Sequence, residues 1–262
     1  MTQVNTDLVL VEKKGHVAIL TMNNLPANTW TADSLKALKL IVEELNQDKS
    51  IWSLVLTGAG DKFFSAGADL KLFADGNKET AREMARLFGL AFETLSHFRG
   101  VSIAAINGYS MGGGLEVALA CDLRIAEEQA VLALPEAKVG LLPCAGGTQN
   151  LTWLVGEGWA KRMILCGEQV KADKALEIGL VEEVVERGDA LEKAIALAEQ
   201  VGQQSPSSVA ACKSLIQNAR TAPLQQGLIL ERELFVDLFD TEDQAEGVNA
   251  FLEKRAPNWQ NK

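Results

Sequence analysis

The sequence predicts an α/β fold closed by an all-α C-terminal region. Short apolar runs rich in β-branched residues alternate with stretches of helical periodicity through the first 190 or so residues. Beyond that point helical spacing dominates and few strand signals remain. The length of 262 residues, 47% of them hydrophobic, is enough to bury a sizeable core and rules out a wholly disordered chain. We therefore divide the chain into a core domain, 1–190, and a helical region, 191–262, with no low-complexity linker between them.

The elements follow in order. Leu8–Val11 and Val17–Met22 read as an antiparallel hairpin around Lys13-Lys14-Gly15-His16. Thr31 to Leu45 carries Leu35, Leu38, Ile41, Val42 and Leu45 at helical spacing. Trp52–Thr57 is a buried strand stopped by Gly58-Ala59-Gly60. Lys78 to Phe98 is helical, with Met84, Leu87, Phe88, Phe92 and Leu95 on one face. Val101–Ile106 is a strand, Gly113–Ala120 a helix, and Leu123–Ala126 and Ala130–Ala133 are short strands. A loop with Pro143 and three glycines spans Gly140 to Gly147. Helices follow at Thr148–Val155, Trp159–Cys166 and Lys171–Ile178, then a strand from Gly179 to Val185. Ala190–Val201, Ser207–Asn218, Leu224–Phe239 and Thr241–Lys254 complete the chain as helices. No repeat of fixed period is present, although a strand–strand–helix order recurs loosely.

Composition narrows the function. The net charge of −10, from 35 Asp+Glu against 25 Lys+Arg, disfavours nonspecific binding to nucleic acid or anionic membranes. It leaves room for a local basic spot facing a phosphorylated small molecule. Cys121, Cys144, Cys166 and Cys212 lack CxxC spacing and read as reduced thiols rather than a disulfide scaffold or zinc site. With only His16 and His97, a histidine-rich mechanism has little material. The N-terminus carries no signal or transit pattern. Val101 to Ala120 holds one charge in twenty residues, but Glu116 and Gly112-Gly113-Gly114 fit a buried strand, turn and helix better than a membrane span. A soluble cytoplasmic protein is expected.

Three glycine-rich stretches bear on the chemistry. Gly58-Ala59-Gly60 follows a strand but lacks the third glycine and the helix of a dinucleotide site, and no P-loop pattern occurs. Gly108-Tyr109-Ser110-Met111-Gly112 fits the GxSxG of a nucleophile elbow, yet both histidines precede Ser110 in the chain. Ser65-Ala66-Gly67-Ala68 reads on its own as a tight turn capped by Asp69. Together, this loop and Ser110–Gly114 could each aim a backbone N–H at one carbonyl oxygen. Glu116 then falls in the first turn of a buried helix, where an unpaired carboxylate is costly. A second carboxylate, Glu136, follows Pro135 ahead of the glycine loop. Two carboxylates beside such a loop pair suit general acid–base work on an activated carbonyl compound. A glycosidase also uses two carboxylates, but no aromatic sugar platform accompanies these.

At these residues the chain resembles the enoyl-CoA hydratase/isomerase (crotonase) family, from about Val9 to Trp259. The resemblance is carried by LVLTGAGDKFFSAGADLK (54–71), IAAINGYSMGGGLEVALACD (103–122), PEAKVGLLPCAGGTQ (135–149) and FLEKR (251–255). It implies a crotonase-like spiral of ββα units with a helical trimerisation region, and a homotrimer or a hexamer built as a dimer of trimers. It implies an acyl-CoA substrate and no separate cofactor, coenzyme A being part of the substrate. Ala68 and Gly113 match the oxyanion-hole donors, and Glu116 and Glu136 the two catalytic glutamates of the hydratases. Ala66, Gly67, Asp69, Leu70, Lys71 and Gly112 match segments that line the substrate, while Phe251 and Lys254 match C-terminal residues that reach CoA, often from a neighbouring subunit. No metal is implied. Hydration of a trans-2-enoyl-CoA is the expected reaction. Double-bond isomerisation or another reaction of the family is the alternative, with the serine hydrolase and a non-catalytic acyl-CoA binder behind it. Three residues depart from the common pattern: Cys144 stands for a glycine, Asn150 for an arginine, and Trp30 is read as narrowing a ligand channel.

Overall fold

A computed structural model describes residues 6–262. Ten strands and nine α-helices are present among them. The strands are β1 (Val9–Lys14), β2 (Val17–Met22), β3 (Ser53–Gly58), β4 (Phe63–Ser65), β5 (Val101–Ile106), β6 (Tyr109–Met111), β7 (Leu123–Glu127), β8 (Val131–Ala133), β9 (Val170–Lys171) and β10 (Glu183–Val185). The helices are α1 (Ala32–Gln47), α2 (Lys78–Ser96), α3 (Gly113–Ala120), α4 (Gly147–Leu165), α5 (Ala172–Glu177), α6 (Ala190–Val201), α7 (Pro206–Asn218), α8 (Leu224–Asp237) and α9 (Glu242–Glu253).

The strands form two sheets. The larger runs β1-β2-β3-β5-β7-β10 and the smaller β4-β6-β8-β9. After the antiparallel β1–β2 hairpin every neighbour in the large sheet is parallel, and β4, β6 and β8 are parallel in the small one. Each pair β3–β4, β5–β6 and β7–β8 sends its first strand to the large sheet and its second to the small one, and a helix follows: α2, α3 and α4. The chain thus advances one strand per turn, which is the ββα spiral expected from the resemblance.

Side-chain alternation explains how the large sheet is covered. Ala18, Leu20 and Met22 of β2 face the main core with α1 and α2, while Val17 and Ile19 face a second core. That second core is closed by Ala190, Ala194 and Ala198, one face of α6. The first helix of the region read as helical therefore covers the sheet itself. Thr31 caps α1 in a reciprocal capping box with Ser34, and Asn77 caps α2 through the Glu79 and Thr80 N–H groups.

Helix α7 is tied to the sheet by a cation. Lys213 Nζ donates to Phe98 O (2.6 Å), Gly100 O (2.9 Å) and Asp122 Oδ2 (2.7 Å). The C-terminal tail folds back onto buried Asp243, which accepts from Gln260 N (2.8 Å) and Asn261 N (3.1 Å). Helices α8 and α9 leave large apolar side chains in solvent, among them Leu224, Phe235, Val236 and Phe251. Among the described residues, no helix is long and apolar enough to cross a membrane.

Several elements differ from the sequence reading, and the strand expected from Gly179 to Val185 is confined to Glu183–Val185. Strands β4, β6 and β9, of three, three and two residues, are too short to carry a period. The two helices expected at 148–166 form one stretch broken at Gly156, whose φ of 74° and ψ of 166° leave the helical region.

Candidate active site

The site forms where the second strands end. β4 runs into Ala66-Gly67-Ala68, and β6 into Gly112 and the start of α3. The two loops cross closely. A Cβ on Gly67, which has φ +84°, would stand 2.6 Å from Met111 O and 3.0 Å from Gly113 N, so no larger residue fits between them. The first loop is held from behind by Trp30, whose N–H donates to Gly67 O (2.8 Å) and whose carbonyl accepts from Asp69 N (3.2 Å). Ser65 Oγ anchors the same loop, donating to Asn28 O (2.7 Å) and accepting from Gly67 N (3.2 Å). These contacts consume the neighbouring polar groups. Among the described residues, the N–H groups of Ala68 and Gly113 find no acceptor in the chain. Both residues line one cavity of about 700 Å³. Two free donors at one wall suit a carbonyl oxygen that gains charge during reaction.

Two carboxylates share that cavity. Glu116 is almost fully buried in the first turn of α3, where the helix N-terminus favours negative charge. Its Oε1 accepts from Ala145 N (2.7 Å) and Gly147 N (2.9 Å), so the glycine loop is folded around it. Burial still outweighs those bonds and raises its pKa above the usual carboxylate range. Glu136 opens a 3₁₀ turn, Glu136–Val139. Both its carboxyl oxygens are shielded and have no hydrogen-bond partner in the protein. Burial first, and the Glu116 carboxylate second, push it up to about 7. A Cβ on Gly112, at φ +54°, would lie 3.0 Å from Glu136 Oε1, so glycine there also makes room for the acid. One carboxylate is thus fixed by backbone donors, and the other is free and poised between its two protonation states.

Most of the residues singled out from sequence come together. Ala66, Gly67, Ala68, Leu70, Gly112, Gly113, Glu116 and Glu136 all line the cavity. Asp69 does not: its Oδ1 accepts from Lys71 N (3.1 Å) and caps the turn Leu70–Phe73. Lys71 is exposed outside the cavity lining. Phe251 and Lys254 lie at the exposed end of α9 and do not reach the cavity of their own chain. Trp30 corrects the expectation of a narrowed channel. It is 1% exposed, packed edge-on against Phe92 behind the Ala66–Ala68 loop, and outside the cavity lining. Asn150 also lies outside the lining, whereas Cys144 is part of it. Burial and the two glutamates push the Cys144 thiol up to about 11 and keep it protonated.

The hydrolase reading fails on geometry. Ser110 is fully buried outside the cavity, and its Oγ has no partner. His16 Nδ1 bonds Ser50 O and its ring stacks on Trp52, while His97 Nδ1 bonds Glu93 O. Sequence reasoning missed the α2 wall of the cavity, Ala81, Ala85 and Phe88, and the opposite wall at Val139, Leu141 and Leu142. The signal available was the set of apolar residues left in a loop of otherwise small and polar ones.

A ββα spiral that presents two free N–H groups and two carboxylates to one apolar cavity is suited to polarising a carbonyl and moving protons beside it. Comparison with known proteins agrees. A family model described as enoyl-CoA hydratase/isomerase matches residues 12–262. A short-chain-enoyl-CoA hydratase from Clostridium acetobutylicum is 38% identical over 248 residues, covering 94% of this chain and 95% of its own length. The solved structure of Pseudomonas aeruginosa DspI superposes with a TM-score of 0.96 at 63% identity, over 99% of both chains. An enoyl-CoA hydratase from Bacillus anthracis gives a TM-score of 0.94 at 38% identity, over 97% of this chain and 100% of its own. The chain belongs to the enoyl-CoA hydratase/isomerase family.

Proposed function

We propose that this protein adds water across the 2,3 double bond of a trans-2-enoyl-CoA to give the 3-hydroxyacyl-CoA, in fatty-acid or related acyl-CoA degradation. The reading rests chiefly on one observation: a half-buried Glu136 whose shielded carboxyl has no partner and is pushed up to about 7, beside a Glu116 held by two backbone donors. The thioester carbonyl oxygen accepts from the Ala68 and Gly113 N–H groups, which strengthens as charge develops there. Glu116, its Oε1 immobilised, orients a water with its remaining oxygen and takes its proton. The water oxygen bonds C3, and Glu136 in its acid form delivers a proton to C2. The gain is a hydroxyl at C3 and a hydrogen at C2, so no redox step is required.

Residues 66–71 and Gly112 are assigned to the CoA thioester and pantetheine, and Phe251 and Lys254 to the CoA of an adjoining subunit. The exposed apolar side chains of α8 and α9 fit burial between copies, in a homotrimer or a dimer of trimers. The free cysteines suit the reducing cytoplasm. The test follows the conjugated enoyl absorbance of crotonyl-CoA and longer trans-2-enoyl thioesters, with the wild type and Glu136→Gln. Loss of absorbance that collapses in the variant is the expected result. A folded wild type that converts none of these thioesters overturns the reading.

A further inference from the structure

We propose that the apolar trough between α2 and the 136–142 loop holds an acyl tail well beyond four carbons, with Ala81 and Ala85 setting its reach. This rests on the hydratase reading above and adds the substrate class. The trough begins at the proposed oxyanion donors: Phe88 of α2 lies so close to Gly113 that a Cβ there would meet its ring at 3.0 Å. From Phe88 the wall continues through Ala85 to Ala81, one helix face in which the side chains become methyl groups. At 1.5 Å per residue the seven steps from Ala81 to Phe88 extend about 10 Å. An extended backbone advances about 1.2 Å per bond, so that length matches roughly eight bonds of alkyl chain.

Volume points the same way. At about 30 Å³ for each water-sized group, a five-atom crotonyl unit fills about 150 Å³. The cavity holds about 700 Å³, shared between the acyl group and the thioester end of the CoA arm at Ala66–Ala68 and Leu70. The pantetheine arm is a poor occupant of the outer trough, because its amides need partners when buried, the side chains of Ala81, Ala85, Val139, Leu141 and Leu142 offer none, and Lys138 of the same loop lies along Gly167. Val139, Leu141 and Leu142 are 54%, 43% and 68% exposed along the trough. Such a rim of large apolar groups is satisfied by a hydrocarbon laid across it.

The test compares kcat/KM for crotonyl-, trans-2-octenoyl- and trans-2-dodecenoyl-CoA in the wild type, Ala85→Phe and Ala81→Leu. It also measures calorimetric binding of butyryl-, octanoyl- and dodecanoyl-CoA, which needs no turnover. Each buried methylene is worth about fourfold. With the tail only partly enclosed, the octenoyl/crotonyl ratio is expected to be about tenfold or more in the wild type, mostly through KM. Each variant, larger at an exposed helix position, should reduce that ratio, Ala85→Phe by about tenfold. Octanoyl-CoA should bind correspondingly tighter than butyryl-CoA. Turnover of all three thioesters with a flat or crotonyl-favouring profile overturns the chain-length assignment and leaves hydration standing. If none is hydrated the hydratase reading falls, and the binding series still decides the trough: equal affinities for butyryl- and octanoyl-CoA, or a preference untouched by both variants, refute it.

Discussion

Glu136→Gln separates the chemistry of the site from its cost to the fold. The carboxyl titrates near 7 because burial and Glu116 disfavour its charge. In the free enzyme the acid form is then about half populated at pH 7 and about a tenth at pH 8. If Glu136 protonates C2, kcat/KM for hydration falls about tenfold per pH unit above 7. Replacing it by Gln removes the proton donor while keeping the shape, at a cost of about 10²–10⁴ in kcat, and abolishes that alkaline limb. Stability also falls with pH, over a lower window. Because the folded pKa lies above the usual 4.5, the native state binds more protons than the unfolded chain between about 4.5 and 7. Wild-type stability therefore falls as pH rises through that window and levels off above it. The full interval corresponds to about 3 kcal/mol, reduced to about 1 by partial solvent access. Urea unfolding from pH 5 to 8, paired with stopped-flow rates on an enoyl thioester, checks both halves. An enzyme whose kcat/KM keeps rising through pH 8, or a Gln variant with the wild-type pH profile, refutes the acid role.

Glu116→Gln keeps an oxygen for the Ala145 and Gly147 N–H groups, so it should fold and lose kcat by about 10²–10⁴ with little change in KM; combined with Glu136→Gln, the loss should be smaller than the product of the two, measured by the same absorbance assay. Gly67→Ala forces a Cβ to within 2.6 Å of Met111 O at positive φ, so the oxyanion loop must shift and kcat should fall by about 10²-fold or more, read from steady-state kinetics with circular dichroism as the check on folding. Lys213→Met strips the partner from half-buried Asp122 and leaves two carbonyls without their donor, and should cost about 3 kcal/mol in urea unfolding. Phe235→Asp places a charge on the exposed apolar face of α8; sedimentation should show a smaller species than the wild type.

Much of this protein is determined by sequence alone, for reasons of period and steric size. Helices α1, α2, α3 and α6 are legible within two residues at each end because their apolar spacing repeats over several turns or their flanks are glycines and caps. The identity of the glutamates and loops at the site was legible because the segments carrying them are long and specific. Tertiary structure decided what depends on distance in space. The sequence carried no sign that α6 would close the large sheet, since a stripe of alanines acquires a partner only when the sheet exists. Trp30 changed from channel wall to loop support because β-bridging to Ala68 buries it behind the loop. Phe251 and Lys254 ended outside their own chain's cavity because α9 runs away from it. Above all, two ordinary glutamates became a functional pair only in the fold. A carboxyl pKa is set by desolvation and neighbouring charge, and the 19 residues between Glu116 and Glu136 say nothing of either until the spiral brings both to one cavity.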